Sequence, residues 1–87
     1  MERQAWGSLA AFAVVAEERS FTRASARLGV SASALSHTMR RLEEKLGVQL
    51  LARSTRSVST TQAGERLLAR LTPAINEIST MIGQDRN

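Results

Sequence analysis

With 87 residues, 43% of them hydrophobic, and a formal net charge of +4, the chain has material for one small domain with a modest core and favours an acidic partner. It has no cysteine and a single histidine, which excludes disulfide frameworks, thiolate metal sites and histidine clusters. No apolar run approaches the roughly 18 residues that span a bilayer, and neither MERQAWGS nor AEERS has the make-up of a signal-peptide flank, so the expected location is cytoplasmic, with no membrane partner.

Residues 1–4 read as a short frayed lead-in. A first helix is expected from residue 7 or 8 to residue 19, with Trp6, Leu9, Phe12, Ala13 and Ala16 on one face. Val14 and Val15 make a second face apolar, and a helix apolar on more than one side is buried on more than one side. It should therefore pack on the helices that follow and also touch the last helix or a second subunit.

A second helix over residues 22–28 places Phe21, Ala24, Ser25 and Leu28 inward and Arg23 and Arg27 outward, with Ser20 or Thr22 as its cap. The pattern breaks at LGVS. Gly29 can take the left-handed conformation that closes this helix, and Ser31 can accept from the open N–H groups of the next. Two helices joined by so short a turn form a helix-turn-helix, whose second helix is the one placed in a DNA major groove.

That third helix is expected over residues 32–46. At about 100° per residue, Met39, Leu42 and Leu46 fall within about 40° of Leu35, while Ser33, His37 and Arg40 lie between about 140° and 200° away. Ser36 sits at the edge of this polar face. Small side chains admit a helix deep into a groove, where Arg40 or His37 can donate to base edges or phosphates. Glu43 and Glu44 would be repelled by phosphate, so only the amino-terminal half should meet DNA.

Gly47 ends the third helix, and residues 50–53 and 57–59 can pair as a short hairpin with Ser54, Thr55 and Arg56 near its tip. Arg53 and Arg56 stand close to the tip with no acidic residue expected nearby, so one or both should reach phosphate or a minor groove. Between Arg19 and Arg56 the chain has eight basic residues against two acidic ones, so the rest of the chain is net negative. This concentration is the electrostatic footprint of a nucleic-acid binder.

A last helix is expected from Thr60 or Thr61 to about Ile82. Leu67 or Leu68, Leu71, Ile75, Ile78 and Ile82 recur at spacings of four and three, the seam of a helical homodimer. Pro73 should bend it or weaken one turn, and residues from Gly83 onward read as an end or a frayed tail. There is no glycine-rich phosphate loop, no separated carboxylate pair and no serine with a base beside it, so neither an enzyme nor a cofactor is expected.

The run SFTRASARLGVSASALSHTMRRLEEKLGVQLLAR, continued by TTQAGE, resembles the amino-terminal winged helix-turn-helix of LysR-type transcriptional regulators. The resemblance covers nearly the whole chain. It implies a mainly α fold of three helices plus a short two-stranded β wing, followed by a long linker helix. Residues 1–60 would then be the DNA-binding domain and residues 61–87 the linker and dimerisation helix, through Leu67, Leu71, Ile75, Ile78 and Ile82. In the family the linker helix pairs antiparallel with that of another subunit and leads to an effector-binding domain, which this chain is expected to lack; a small-molecule effector would require it.

The resemblance further implies sequence-specific binding of double-stranded DNA as a dimer and regulation of transcription in a bacterium. The expected DNA set is Thr22 at a phosphate, Ser31, Ala32, Ser33, Ser36, His37, Arg40 and Arg41 on the recognition helix, and Arg53, Thr55 and Arg56 on the wing. Ala32 and His37 depart from the glutamine and the arginine or lysine frequent there. Ala32 retains a possible thymine-methyl contact. Two rivals stay open at this stage: a helical dimerisation module whose basic region aids solubility, and a DNA binder of another winged-helix family.

Overall fold

The computed structural model describes the backbone of residues 3–54 and 57–86 and the side chains of residues 7–54 and 57–77. Four helices and one hairpin follow in the order α1 (Arg3–Glu18), α2 (Phe21–Leu28), α3 (Ala32–Leu46), β1 (Leu51–Arg53), β2 (Val58–Thr60) and α4 (Gln62–Arg86). The winged helix-turn-helix with a long final helix is thus present as expected. Thr55 and Arg56, together with the side chains of Trp6, Ile78 and Ile82, lie outside what is described.

Helix α1 is the hub. It packs against α2, α3, α4 and β2, which is why it is apolar on two faces. Phe12 and Val15 have no exposed surface, and Leu9, Ala11, Ala13 and Val14 pack partly buried around them. It starts at Arg3 rather than at residue 7 or 8, and no frayed lead-in extends to Gln4. Nothing in RQAW breaks a helix, and Gly7 inside it costs only about 1 kcal/mol relative to alanine. The helix closes at Arg19, whose N–H still donates to the Val15 carbonyl at 2.8 Å and whose left-handed backbone (φ 56°) then turns the chain out of the helix.

Each helix of the helix-turn-helix is closed and opened by the residues that the sequence singles out. Ser20, not Thr22, caps α2 by accepting from Arg23 N–H at 3.2 Å, and Gly29 ends it at φ 71°. Ser31 caps α3 by accepting from Ala34 N–H at 3.1 Å. Gly47, also at φ 71°, sends its N–H back to the carbonyls of Glu43 and Glu44.

The core joins Ala24 of α2, Leu35, Met39 and Leu42 of α3, Leu51 and Val58 of the hairpin, the adjoining Leu50, and Leu71 of α4 to the α1 residues. Two leucines expected inside are not. Leu28 is 36% and Leu46 is 49% exposed. Each is the last residue before a capping glycine, where the chain turns away from the core.

The wing is a two-stranded antiparallel sheet with Leu51 opposite Thr60, Ala52 opposite Ser59 and Arg53 opposite Val58. Relative to the expected strands each begins one residue later, at Leu51 and Val58, and the Leu50 N–H is taken by Glu43 Oε2 at 2.8 Å rather than by the hairpin. The Leu50 carbonyl accepts from Thr61 N–H at 3.0 Å, and Thr61 Oγ1 donates to the Gln49 carbonyl at 2.6 Å while accepting from Gly64 N–H at 3.1 Å. Thr61 therefore caps α4 and seats its start on the base of the wing. Gly64 lies directly on the Leu50 carbonyl, with no room for a Cβ.

Helix α4 runs through Pro73 and Gly83 to Arg86, so no tail begins at Gly83. Pro73 removes one helical N–H, but it sits on the exposed side, where water can satisfy the carbonyl left over. At about 1.5 Å per residue its 25 residues are comparable to the 43 Å long axis of the molecule.

Candidate nucleic-acid interface

The amino-terminal half of α3 presents the surface that the sequence assigns to it. Ser31, Ala32, Ser33, His37 and Arg40 are exposed, while Leu35, Met39 and Leu42 on the opposite side are at most 5% exposed. Ser36 is half-buried at the border. Thr38 turns its hydroxyl back to the Ala34 carbonyl at 3.0 Å, which takes it out of contention for outward contacts. Arg41 is exposed beside this face. With His37 and Lys45 it lines an open groove whose far wall is Gly7 and Ser8 of α1. Glu44 also lines this groove, so its charge is mixed.

Thr22 is exposed in the first turn of α2, where its carbonyl accepts from the buried Ser25 hydroxyl at 2.9 Å. The two arginines of this helix are not simply outward charges. Arg27 Nη1 lies 2.9 Å from Glu18 and 3.4 Å from Glu17, and Arg23 Nη2 donates to the Glu18 carbonyl at 2.7 Å, its Nε lying 3.5 Å from the Glu18 carboxylate. The hydrogen bond with Glu18, then the charge of Glu17, hold the Arg27 pKa above the usual arginine value. Two of the eight basic residues that suggest a DNA surface are thereby answered by acids at the end of α1.

Arg53 differs most from expectation. It is not a wing cation without an acidic neighbour: Nη2 lies 3.5 Å from Glu43 Oε1, and the guanidinium stacks 5.4 Å from the centroid of the Phe21 ring. Its side chain is 28% exposed. The sequence could not show this pairing because ten positions separate the partners, and only the fold brings the end of α3 beside β1.

Glu43 is correspondingly not a solvent-facing charge at the far end of α3. Its side chain is 10% exposed, and Oε2 accepts from the backbone N–H groups of Leu50 at 2.8 Å and Leu51 at 3.0 Å. A signal for it existed. Glu43 follows Leu42 at about 80° from Leu35, beside the core stripe, where an acid needs partners to be buried. Among the described side chains no buried polar atom lacks one.

The turn of the wing is closed by Ser54 N–H donating to the Ser57 carbonyl at 2.9 Å and Ser57 N–H donating to Ser54 Oγ at 3.1 Å. Thr55 and Arg56, the other expected wing contacts, are outside the described residues. No group of acidic, histidine or cysteine side chains suited to a metal occurs among the described residues. No helix of the described residues is long and apolar enough to cross a membrane.

Four helices, a two-stranded wing and an exposed recognition-helix face define a winged helix-turn-helix domain. Residues 6–65 match the family described as bacterial regulatory helix-turn-helix protein, lysR family. The chain belongs to that family. It is 56% identical over 80 residues to the HTH-type transcriptional regulator PgrR of Escherichia coli K12, covering 92% of this chain and 27% of that protein. It therefore spans about a quarter of the length of such relatives.

Among solved structures, the BenM DNA-binding domain in complex with catB site 1 DNA superposes with a TM-score of 0.82 at 34% identity, covering 99% of this chain and 92% of that one. The oxidized form of Corynebacterium glutamicum OxyR gives a TM-score of 0.83 at 35% identity, covering 99% of this chain and 28% of that one.

Proposed function

We propose that this chain binds duplex DNA as a homodimer and, within a bacterial regulator, controls transcription from the cytoplasm without catalysing a reaction. The observation that carries the reading is the exposed, small and polar face Ser31, Ala32, Ser33, His37 and Arg40, backed by a buried apolar stripe on the same helix. Such a helix can enter a major groove with Arg40 and His37 toward bases or phosphates, while Ser31, Thr22 and Arg41 meet the sugar-phosphate backbone. The BenM domain is described in complex with DNA at two different sites, which supports the same role here.

The dimer is proposed through α4 with its flank on α1. Leu71 is 7% exposed within the chain and belongs to its own core, so it contributes by rigidifying α4 rather than by touching a partner. Leu67 and Ile75 are half-buried against that core and keep apolar surface outward. Between α1 and α4 a cleft lined by Ala13, Ala16, Leu68, Thr72 and Ile75, together with Glu17 and Asn76, continues this surface, and the same helix of a second copy is its natural occupant. Ile78 and Ile82 extend the same spacing along α4.

Selection of bound sequences from random duplexes tests both halves. Two inverted copies of one short half-site are expected, at a spacing set by the dimer. Enrichment of no sequence contradicts readout by α3, and enrichment of a single half-site without symmetry contradicts the dimer.

A further inference from the structure

We propose that Glu43 is a positioning residue that locks the wing to the recognition helix, so that groove entry by α3 and contact by the wing are one rigid event. The proposal rests on the DNA-binding reading and adds to it a residue that touches no DNA.

Glu43 stands on α3 beyond the half that meets the groove. Its carboxylate nonetheless holds the two consecutive amides where the chain enters β1, from Leu50 at 2.8 Å and Leu51 at 3.0 Å, with its other oxygen 3.5 Å from Arg53 on the same strand. A carboxylate that accepts two backbone N–H bonds while nine-tenths buried fixes the main chain it grips, because leaving either amide without an acceptor there is costly. Arg53 carries the grip across to α2 by stacking on Phe21. One side chain thus ties α3, β1 and α2 together, whereas among the described residues the wing's main-chain tie to the turn between α1 and α2 is the longer bond from Val58 N–H to the Arg19 carbonyl at 3.3 Å. Arg53 is then a strut whose charge is already answered, and the wing's reach toward DNA is set by where Glu43 puts the strand.

The test uses the full chain with Glu43→Gln, Glu43→Ala and Arg53→Gln. Glutamine offers the two amides a neutral carbonyl oxygen, a weaker acceptor than the carboxylate, and removes the charge that pairs with Arg53, so it loosens the grip on the wing while retaining the fold even where alanine does not. Without DNA, the Leu50 and Leu51 amides of the unaltered protein should be protected from hydrogen exchange, and in Glu43→Ala their exchange should speed up about tenfold or more. With DNA, hydroxyl-radical footprints of the unaltered protein should show one protected patch under α3 and a flanking one under the wing.

Glu43→Gln should keep the first patch, lose the second and bind its selected site about tenfold more weakly, about the worth of one charged hydrogen bond. Arg53→Gln should do the same, and the double variant should lose no more than either single one. A folded Glu43→Gln with both patches intact, or additive losses in the double variant, overturns the proposal. So does an equal fading of both patches with a lowered melting temperature, which is the mark of a merely structural role. Readily exchanging Leu50 and Leu51 amides in the unaltered protein refute the lock itself. Absence of any footprint from a protein whose amides are protected refutes the DNA-binding reading, and the wing's role with it, but leaves the lock standing.

Discussion

In the proposed complex Arg40 is the side chain on which sequence readout rests most heavily. It is exposed on the face opposite Leu35 and makes no ion pair among the described residues, whereas Arg23, Arg27 and Arg53 each face a carboxylate. A bidentate arginine contact to a base edge is worth about 1 to 3 kcal/mol of discrimination. Arg40→Ala should therefore weaken binding to the selected site by that amount and relax the preference at one base position, measured by competition among single-base variants of the site. An unchanged preference would move the reading edge of α3 to Ser33 and His37. Arg53→Ala is a poorer probe of phosphate contact, since it also leaves the buried Glu43 carboxylate without its cation.

At the scale of elements, the joint between the wing and α4 leaves no room for an added side-chain atom. Gly64 rests on the Leu50 carbonyl, which is backbone and cannot swing aside. Gly64→Ala should destabilise the domain by about 1 to 3 kcal/mol, although alanine is the better helix former, and chemical denaturation with an unchanged m-value would measure it. A neutral or stabilising effect would mean that α4 shifts off the wing at little cost. Elements that announce themselves locally were legible in the sequence: the capping serines Ser20 and Ser31, the left-handed glycines Gly29 and Gly47, and the stripe Leu35, Met39 and Leu42 all act as their types and spacings require. What depends on long-range contact was not legible. The pairing of Glu43 with β1, the acids of α1 that meet Arg23 and Arg27, and the burial of Leu71 in the chain's own core need the folded arrangement.

For the molecule as a whole, the distribution of charge sets how strongly binding responds to salt. Each neutralised phosphate releases counterions, so the logarithm of affinity falls linearly with the logarithm of salt concentration. With Arg23, Arg27 and Arg53 answered by carboxylates, a dimer should neutralise phosphates toward the low end of about 6 to 10, a slope of roughly −5 to −6. The affinity of the full chain for duplex DNA, titrated across salt concentrations, is the most direct measurement of the central claim. A linear fall with that slope is the expected result, and a slope near zero, or no binding at low salt, would contradict it.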